Sequence, residues 1–298
     1  MSKQSQEKKL GKLTVREFFA RFPDEDTCLT HIMEVRYGLR HVCQACGVEG
    51  THHKLANRRA FSCAHCGNHV YPCAGTIFQD SHTPLQVWFY AIYLFVTTRH
   101  GVSGKELERT LGVTYKTAWR MGQQIRILMA KADGFEILKG HVEADEAYVG
   151  GYRPGKRGRG AAGKTVVFGM KERGGRMHAQ PVPDARKDTL RPIILEGVKK
   201  GSTISTDEFL SYELLTWEGY RHGVVRHKFK EYVGTMSDGT KHHVNSVESF
   251  WKLFKESIRS THIHVSRKYM DRYLKEFTFR SNHRAMQNAM FDLLLSRV

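Results

Sequence analysis

No apolar run in these 298 residues approaches the roughly 18 needed to cross a bilayer. The best candidate, 87–96, is short and aromatic at its ends, which excludes a spanning helix. Acidic residues are also scarce, 30 against 47 lysines and arginines, for a formal net charge of +17. Solubility needs only a few charges, so an excess this large, spread along the whole chain, fits a polyanionic partner, namely nucleic acid. The opening MSKQSQEKKLGK has no apolar stretch behind it, so neither a secretory signal nor an anchor is expected there. A cytoplasmic, nucleoid-associated setting follows. Thiols stay reduced in that compartment, so the six cysteines are read as metal ligands or buried thiols before disulfides.

The length suits about two domains, within which composition separates four segments: an N-terminal helical segment (1–40), a cysteine-rich stretch (41–75), a helical middle (84–132) and a strand–helix region (138–298). Thr14 and Glu17 form a capping-box pattern ahead of Phe18, Phe19 and Phe22, predicting a helix over 15–21 that Pro23 ends. A second helix is expected over 25–37, with Gly38 as its stop.

Cys43-Gln-Ala-Cys46 and Cys63-Ala-His-Cys66 are each followed by glycine, Gly47 and Gly67. Two such knuckles supply the four-thiolate tetrahedral shell that Zn²⁺ prefers, and glycine permits the positive φ each knuckle requires. The stretch is a zinc ribbon with a closed, structural metal site; RRAFSC supplies one strand. His52, His53 and His65 are alternative ligands that a complete cysteine set does not need. Cys28 and Cys73 are left as buried thiols.

Thr83-Pro84 reads as a cap and first-turn proline for an apolar helix over 85–98. Ser103 then caps a helix through Thr110, Leu111-Gly112-Val113 turns, and Thr114 caps a second helix to about Met129. This is the helix-turn-helix pattern. Leu107, Leu111, Val113, Ala118 and Met121 would join the two helices, leaving Tyr115, Lys116, Thr117, Trp119 and Arg120 near the start of the second, placed to enter a major groove.

From Gly140 the chain reads βββαβαβα, including a helix over 210–217 and a strand in HGVVRHKF. That order defines an α/β, RNase-H-like catalytic core with a mixed sheet. Its first strand, fourth strand and last helix bring acids to one side of the sheet, and Asp145, Asp207 and Glu248 hold those positions. Convergent hard carboxylates are what a divalent-metal phosphoryl site requires. Strand parity alone leaves Glu143 beside Asp145, and Glu208 beside Asp207. On the last helix Glu248, Lys252 and Lys255 share one face at i, i+4 and i+7, with Asn245 and Trp251 nearby. The stretch 152–164 is glycine-rich and strongly basic; Arg153, Lys156, Arg157, Arg159 and Lys164 are candidate phosphate contacts.

The two knuckles, Gly75-Thr76-Ile77-Phe78, Pro84-Leu85-Gln86-Val87-Trp88, Val142-Glu143-Ala144-Asp145-Glu146-Ala147-Tyr148-Val149-Gly150-Gly151, Thr206-Asp207, Val244-Asn245-Ser246-Val247-Glu248-Ser249-Phe250-Trp251 with Lys255, and 273–284 together resemble the DDE-class transposases of insertion-sequence family fifteen ninety-five. The resemblance spans almost the whole chain. It implies Asp145 and Asp207 as the first two catalytic acids, followed by Glu or Asn and then Lys at the third position. Glu248 with Lys255 and Asn245 with Lys252 both fit that step; Glu248 is chosen because a carboxylate binds Mg²⁺ better than an amide does. It further implies Mg²⁺ or Mn²⁺ at the acids, terminal inverted repeats and target DNA as partners, strand cleavage followed by strand transfer, and a homodimer or larger synaptic assembly. Two other readings use the same modules: a non-enzymatic DNA-binding regulator, and a nuclease without strand transfer.

Overall fold

The computed structural model describes residues 13–150, 163–208, 215–286 and 289–298. They divide into two compact units, Met1–Leu128 with Ala285–Val298, and Met129–Arg284. No helix of the described residues is long and apolar enough to cross a membrane.

In the first unit, Thr14 and Glu17 close the expected capping box on α1 (Val15–Arg21), and Asp24 caps α2 (Glu25–Arg36). The ribbon follows as an antiparallel sheet of β1 (Arg40–Val42), β2 (Glu49–Lys54), β3 (Phe61–Cys63) and β4 (His69–Val70). In α3 (Leu85–Thr97) the expected Thr83 cap is absent. Pro84 occupies that position with no side-chain bond, and the Leu85 N–H donates instead to Glu25 Oε2 at 2.5 Å. Next come α4 (Gly104–Leu111), ended by Gly112 in the left-handed region at φ 65°, and α5 (Tyr115–Asp133). The C-terminal helix Ala289–Leu295 departs from the 138–298 expectation. It belongs to the first unit, where Phe291 packs edge-on against Phe18, with ring centroids 5.9 Å apart.

The second unit is built on β5 (His141–Val149), β6 (Thr165–Glu172), β7 (Met177–Val182), α6 (Lys187–Gly197), β8 (Thr203–Asp207), β9 (Arg221–Val225), a hairpin of β10 (Gly234–Thr235) and β11 (Lys241–His242), α7 (Asn245–Ser257) and α8 (Met270–Asn282). Its five-stranded sheet has the order β7-β6-β5-β8-β9. The first three strands are antiparallel, while β8 runs parallel to β5 and β9 parallel to β8. This is the RNase-H-like arrangement. Of the expected helix over 210–217, residues 210–214 lie outside the described residues and 215–217 form part of a turn.

Strand alternation sends the two faces of this sheet to different cores. Ala147, Val149, Val167 and Met177 pack with Phe250, Trp251 and Phe254 of α7 and Phe277 of α8. Val142, Ala144, Phe168 and Met170 pack with Leu190 and Ile194 of α6. The odd-numbered residues of β5, Glu143 and Asp145 among them, are therefore on the face that carries α7.

Candidate active site

Glu143 pairs with Ser205 across the parallel strands β5 and β8. The pairing ends there, and Asp145 and Asp207, the last residue of β8, each stand two residues beyond it. Their side chains leave the sheet on the same face. The Asp145 carboxyl is pushed well above the usual carboxylate range, by burial first, then by the negative charges of Glu146, Asp207 and Glu248, against the pull of a Glu146 backbone N–H. Acids from two strands and one helix thus act on a single carboxyl group. They are not packed into a tight ligand shell: among the described residues, the one group whose ligand atoms all lie within 4.8 Å of one another is the cysteine quartet.

The two acids that parity left equivalent on β5 have different surroundings. Glu143 is completely buried. It accepts the N–H groups of Ser246 (2.8 Å) and Val247 (3.2 Å), the Ser246 hydroxyl (3.1 Å) and Arg173 Nε (3.1 Å). It therefore serves as the N-cap of α7, whose own Val244 makes no side-chain cap bond. A carboxyl group at that end also meets the positive pole of the helix. Arg173 extends the clamp by donating to the backbone oxygens of Lys241 (2.9 Å) and His243 (3.3 Å). Beside it, burial and then Arg173 bring the His141 imidazole down to about 4. Sequence reasoning weighed Glu143 as a rival to Asp145 and missed this role.

Helix α7 turns Val247, Phe250, Trp251 and Phe254 inward and leaves Glu248, Lys252 and Lys255 exposed. Glu248 Oε1 is 3.4 Å from His227 Nε2, a neighbour with no local signal in the sequence. Asn245 is also exposed; its backbone oxygen accepts the Ser249 hydroxyl at 2.7 Å. Although Lys255 as a whole is exposed, desolvation of its ammonium group lowers its pKa, the charge of Asp145 raises it, and that of Lys164 lowers it again. Lys164, Lys252, Lys255 and Arg259 line one cavity of about 430 Å³, a concentration of positive charge on the acids' side of the sheet. Arg153, Lys156, Arg157 and Arg159 lie outside the described residues.

Trp251 reaches the sheet only because β6 carries a glycine where it pairs with Asp145. A Cβ at Gly169 would lie 2.6 Å from Trp251 Cζ2 and 2.7 Å from Met177 Cε. An isolated glycine inside a strand was the available sign of such a close approach.

In the first unit the sulfurs of Cys43, Cys46, Cys63 and Cys66 lie within 4.8 Å of one another, with Cys43 and Cys66 3.7 Å apart. Tetrahedral Zn–S bonds of about 2.3 Å place sulfurs roughly 3.8 Å apart, so the quartet fits structural zinc. Gly47 and Gly67 both take φ 72°, and each donates its N–H to the first cysteine of its knuckle, at 2.9 and 3.0 Å. The Cys43 thiol is drawn down to about 6 by the backbone N–H groups of Cys46 and Ala45, which favours the thiolate a metal requires. His52 is buried and stacked on His41 with ring centroids 3.8 Å apart, outside the quartet, as are exposed His53 and His65. Cys28 and Cys73 are buried, and burial pushes their thiols up to about 12 and 11.

Around the helix-turn-helix, Ser103 Oγ accepts the Glu106 N–H at 3.1 Å, and Thr114 Oγ1 accepts that of Thr117 at 3.3 Å. Leu107, Ala118 and Met121 are buried, whereas Leu111 and Val113 are half-buried. Tyr115, Lys116 and Arg120 are exposed, whereas Thr117 is half-buried and its hydroxyl lies 3.0 Å from that of Thr114.

A ribbon with four convergent thiols and an RNase-H-like core with facing acids define the class of the insertion-sequence transposases. Two family models match the chain, the transposase zinc-ribbon domain at residues 23–69 and the ISXO2-like transposase domain at residues 137–282. The chain belongs to the IS1595 family of insertion-sequence transposases. It is 29% identical over 279 residues to an uncharacterized protein in transposable element ISH50 of Halobacterium salinarum, covering 87% of this chain and 91% of that one. An uncharacterized transposase-like protein of Haemophilus influenzae is 29% identical over 102 residues, 34% of this chain and 77% of its own length. Among solved structures, a pre-cleavage Mos1 transpososome aligns over 70% of this chain and 77% of that chain, at 10% identity and a TM-score of 0.26.

Proposed function

We propose that the chain binds the terminal inverted repeats of its element, cuts DNA strands there and joins the freed ends to target DNA, with Asp145, Asp207 and Glu248 as metal ligands. The observation that carries this reading is the Asp145 carboxyl, raised by burial and by negative charge from Glu146, Asp207 and Glu248. Such a site is electrostatically incomplete without a cation, and hard carboxylate oxygens select Mg²⁺ or Mn²⁺. The chemistry that a bound divalent cation supplies is a lowered pKa for the attacking oxygen and neutralised charge at the scissile phosphate.

The protein's own residues position and hold. Glu143 is occupied by the α7 amides and Arg173, which leaves Asp145 as the acid of its face available to a ligand. Glu248 is favoured over Asn245 because its charge acts on Asp145 and it is a carboxylate. Lys255, with Lys164 and Lys252 in the same cavity, holds a backbone phosphate next to the acids. No side chain need form a covalent bond to DNA. Tyr115, Lys116, Thr117 and Arg120 enter the major groove, and the basic stretch 152–164 clamps phosphates. Two ends must be held together, so a homodimer or larger assembly acts, in the cytoplasm at the nucleoid.

Asp145→Asn, Asp207→Asn and Glu248→Gln should each abolish Mg²⁺-dependent cleavage of end DNA while leaving its binding intact. Each should also remove the rise in melting temperature that Mn²⁺ produces without DNA, a readout independent of turnover. A variant that keeps both cleavage and the metal-induced rise would strike that residue from the assignment, and Asn245→Ala serves as the control that keeps both.

A further inference from the structure

Parallel pairing sets Val225, the last residue of β9, opposite Asp207. The chain that leaves the sheet there, residues 226–233, therefore starts level with the second acid. Two residues on, His227 Nε2 is 3.4 Å from Glu248 Oε1, which keeps the segment beside the third. This segment exposes large rings: Phe229 is 78% and Tyr232 59% accessible, and the Tyr232 ring centroid is 5.7 Å from that of His227. Lys230, between them, takes φ 58°, a left-handed conformation uncommon for a residue with a Cβ. Arg226 and Lys230 are exposed and cationic.

A solvated phenylalanine ring is unfavourable in a free protein, and here two large rings three residues apart are exposed in one short segment beside the acids. The only large π-faced partner that also carries the negative charge these cations and the net +17 attract is a nucleic-acid strand with its bases open. Paired bases present their edges, not their faces, so the strand must be unpaired where it meets the rings. We propose that Phe229 and Tyr232 form a stacking platform for unpaired bases flanking the scissile phosphate, with Arg226 and Lys230 on its backbone. The proposal rests on the catalytic reading of the neighbouring acids for what lies next to the platform, but not for the stacking itself.

The test uses the full chain without added Mg²⁺, a duplex with five unpaired nucleotides at one end, and the same duplex fully paired, compared by fluorescence anisotropy. The unaltered chain should prefer the forked DNA. Phe229→Ala with Tyr232→Ala should weaken binding to the fork by roughly tenfold or more, the range expected for losing one or two stacked bases, and leave the paired duplex unaffected. Phe229→Trp should keep the preference, and its added indole emission should be quenched by the fork and not by the duplex. No preference in the unaltered chain, an equal loss on both DNAs, or an unquenched Phe229→Trp would each overturn the platform. If Asp145→Asn still cuts DNA with Mg²⁺ while the double variant loses its fork preference, the catalytic reading fails and the platform stands.

Discussion

At the scale of single residues, two carboxyl groups on the same strand and the same face have opposite surroundings. Glu143, with no accessible surface, is saturated by two amides, a hydroxyl and Arg173. Asp145, two residues on, has other acids for neighbours. Removing Glu143 leaves the first amides of α7 without their acceptor, and leaves Arg173, still bonded to the Lys241 and His243 carbonyls, without its counter-charge. Breaking a buried pair in this way costs about 3–5 kcal/mol, far more than the ~1 kcal/mol ceiling of an exposed pair. Glu143→Ala should lower the free energy of urea unfolding by that larger amount. Glu143→Gln, whose amide oxygen still accepts the α7 N–H groups, should cost roughly 1–3 kcal/mol. A loss below about 1 kcal/mol for the alanine variant would mean that α7 does not depend on this cap.

At the scale of elements, a strand and a helix meet through a glycine. Gly169 lets Trp251 lie on β6 next to Asp145, so Gly169→Ala should push α7 outward and cost about 1–3 kcal/mol by overpacking. The shift should be visible as altered Trp251 fluorescence together with a lower melting temperature; an unchanged spectrum would show that the packing tolerates a methyl group. The ribbon depends on its metal instead. Cys43→Ser should lower bound zinc from one equivalent per chain and unfold the sheet β1–β4 locally, read by metal analysis and amide exchange, and full zinc retention would remove the four-cysteine shell. The elements legible in the sequence were those with local signals. Cysteine–glycine knuckles, the Ser103 and Thr114 caps and strand alternation each act within a few residues. Partners distant in sequence were not legible. Glu25 replaces Thr83 at the start of α3 from 60 residues away, and Phe291 joins the aromatic cluster of the first unit. Glu143 meets α7 across 103 residues, where parity names a face and not an occupant. The β10–β11 hairpin, two residues per strand, is too brief to produce a pattern.

At the scale of the whole molecule, the excess of 47 basic over 30 acidic residues should, on the proposed function, contribute most through release of counterions from DNA. Each neutralised phosphate adds about −0.9 to the slope of log affinity against log salt. If Lys116 and Arg120 of the helix-turn-helix, Lys252 and Lys255 of α7, Lys164 and the other cations of the stretch 152–164 all touch backbone, six or more contacts form, and affinity for end DNA should fall by about 10³ or more between 50 and 200 mM salt. The contacts are separable because they lie on different elements. Lys116→Ala with Arg120→Ala should reduce the slope by about 2, whereas Asp145→Asn, which removes a negative charge without adding a phosphate contact, should leave it unchanged. A slope shallower than about −3 for the unaltered chain would mean that the positive charge serves a purpose other than holding DNA.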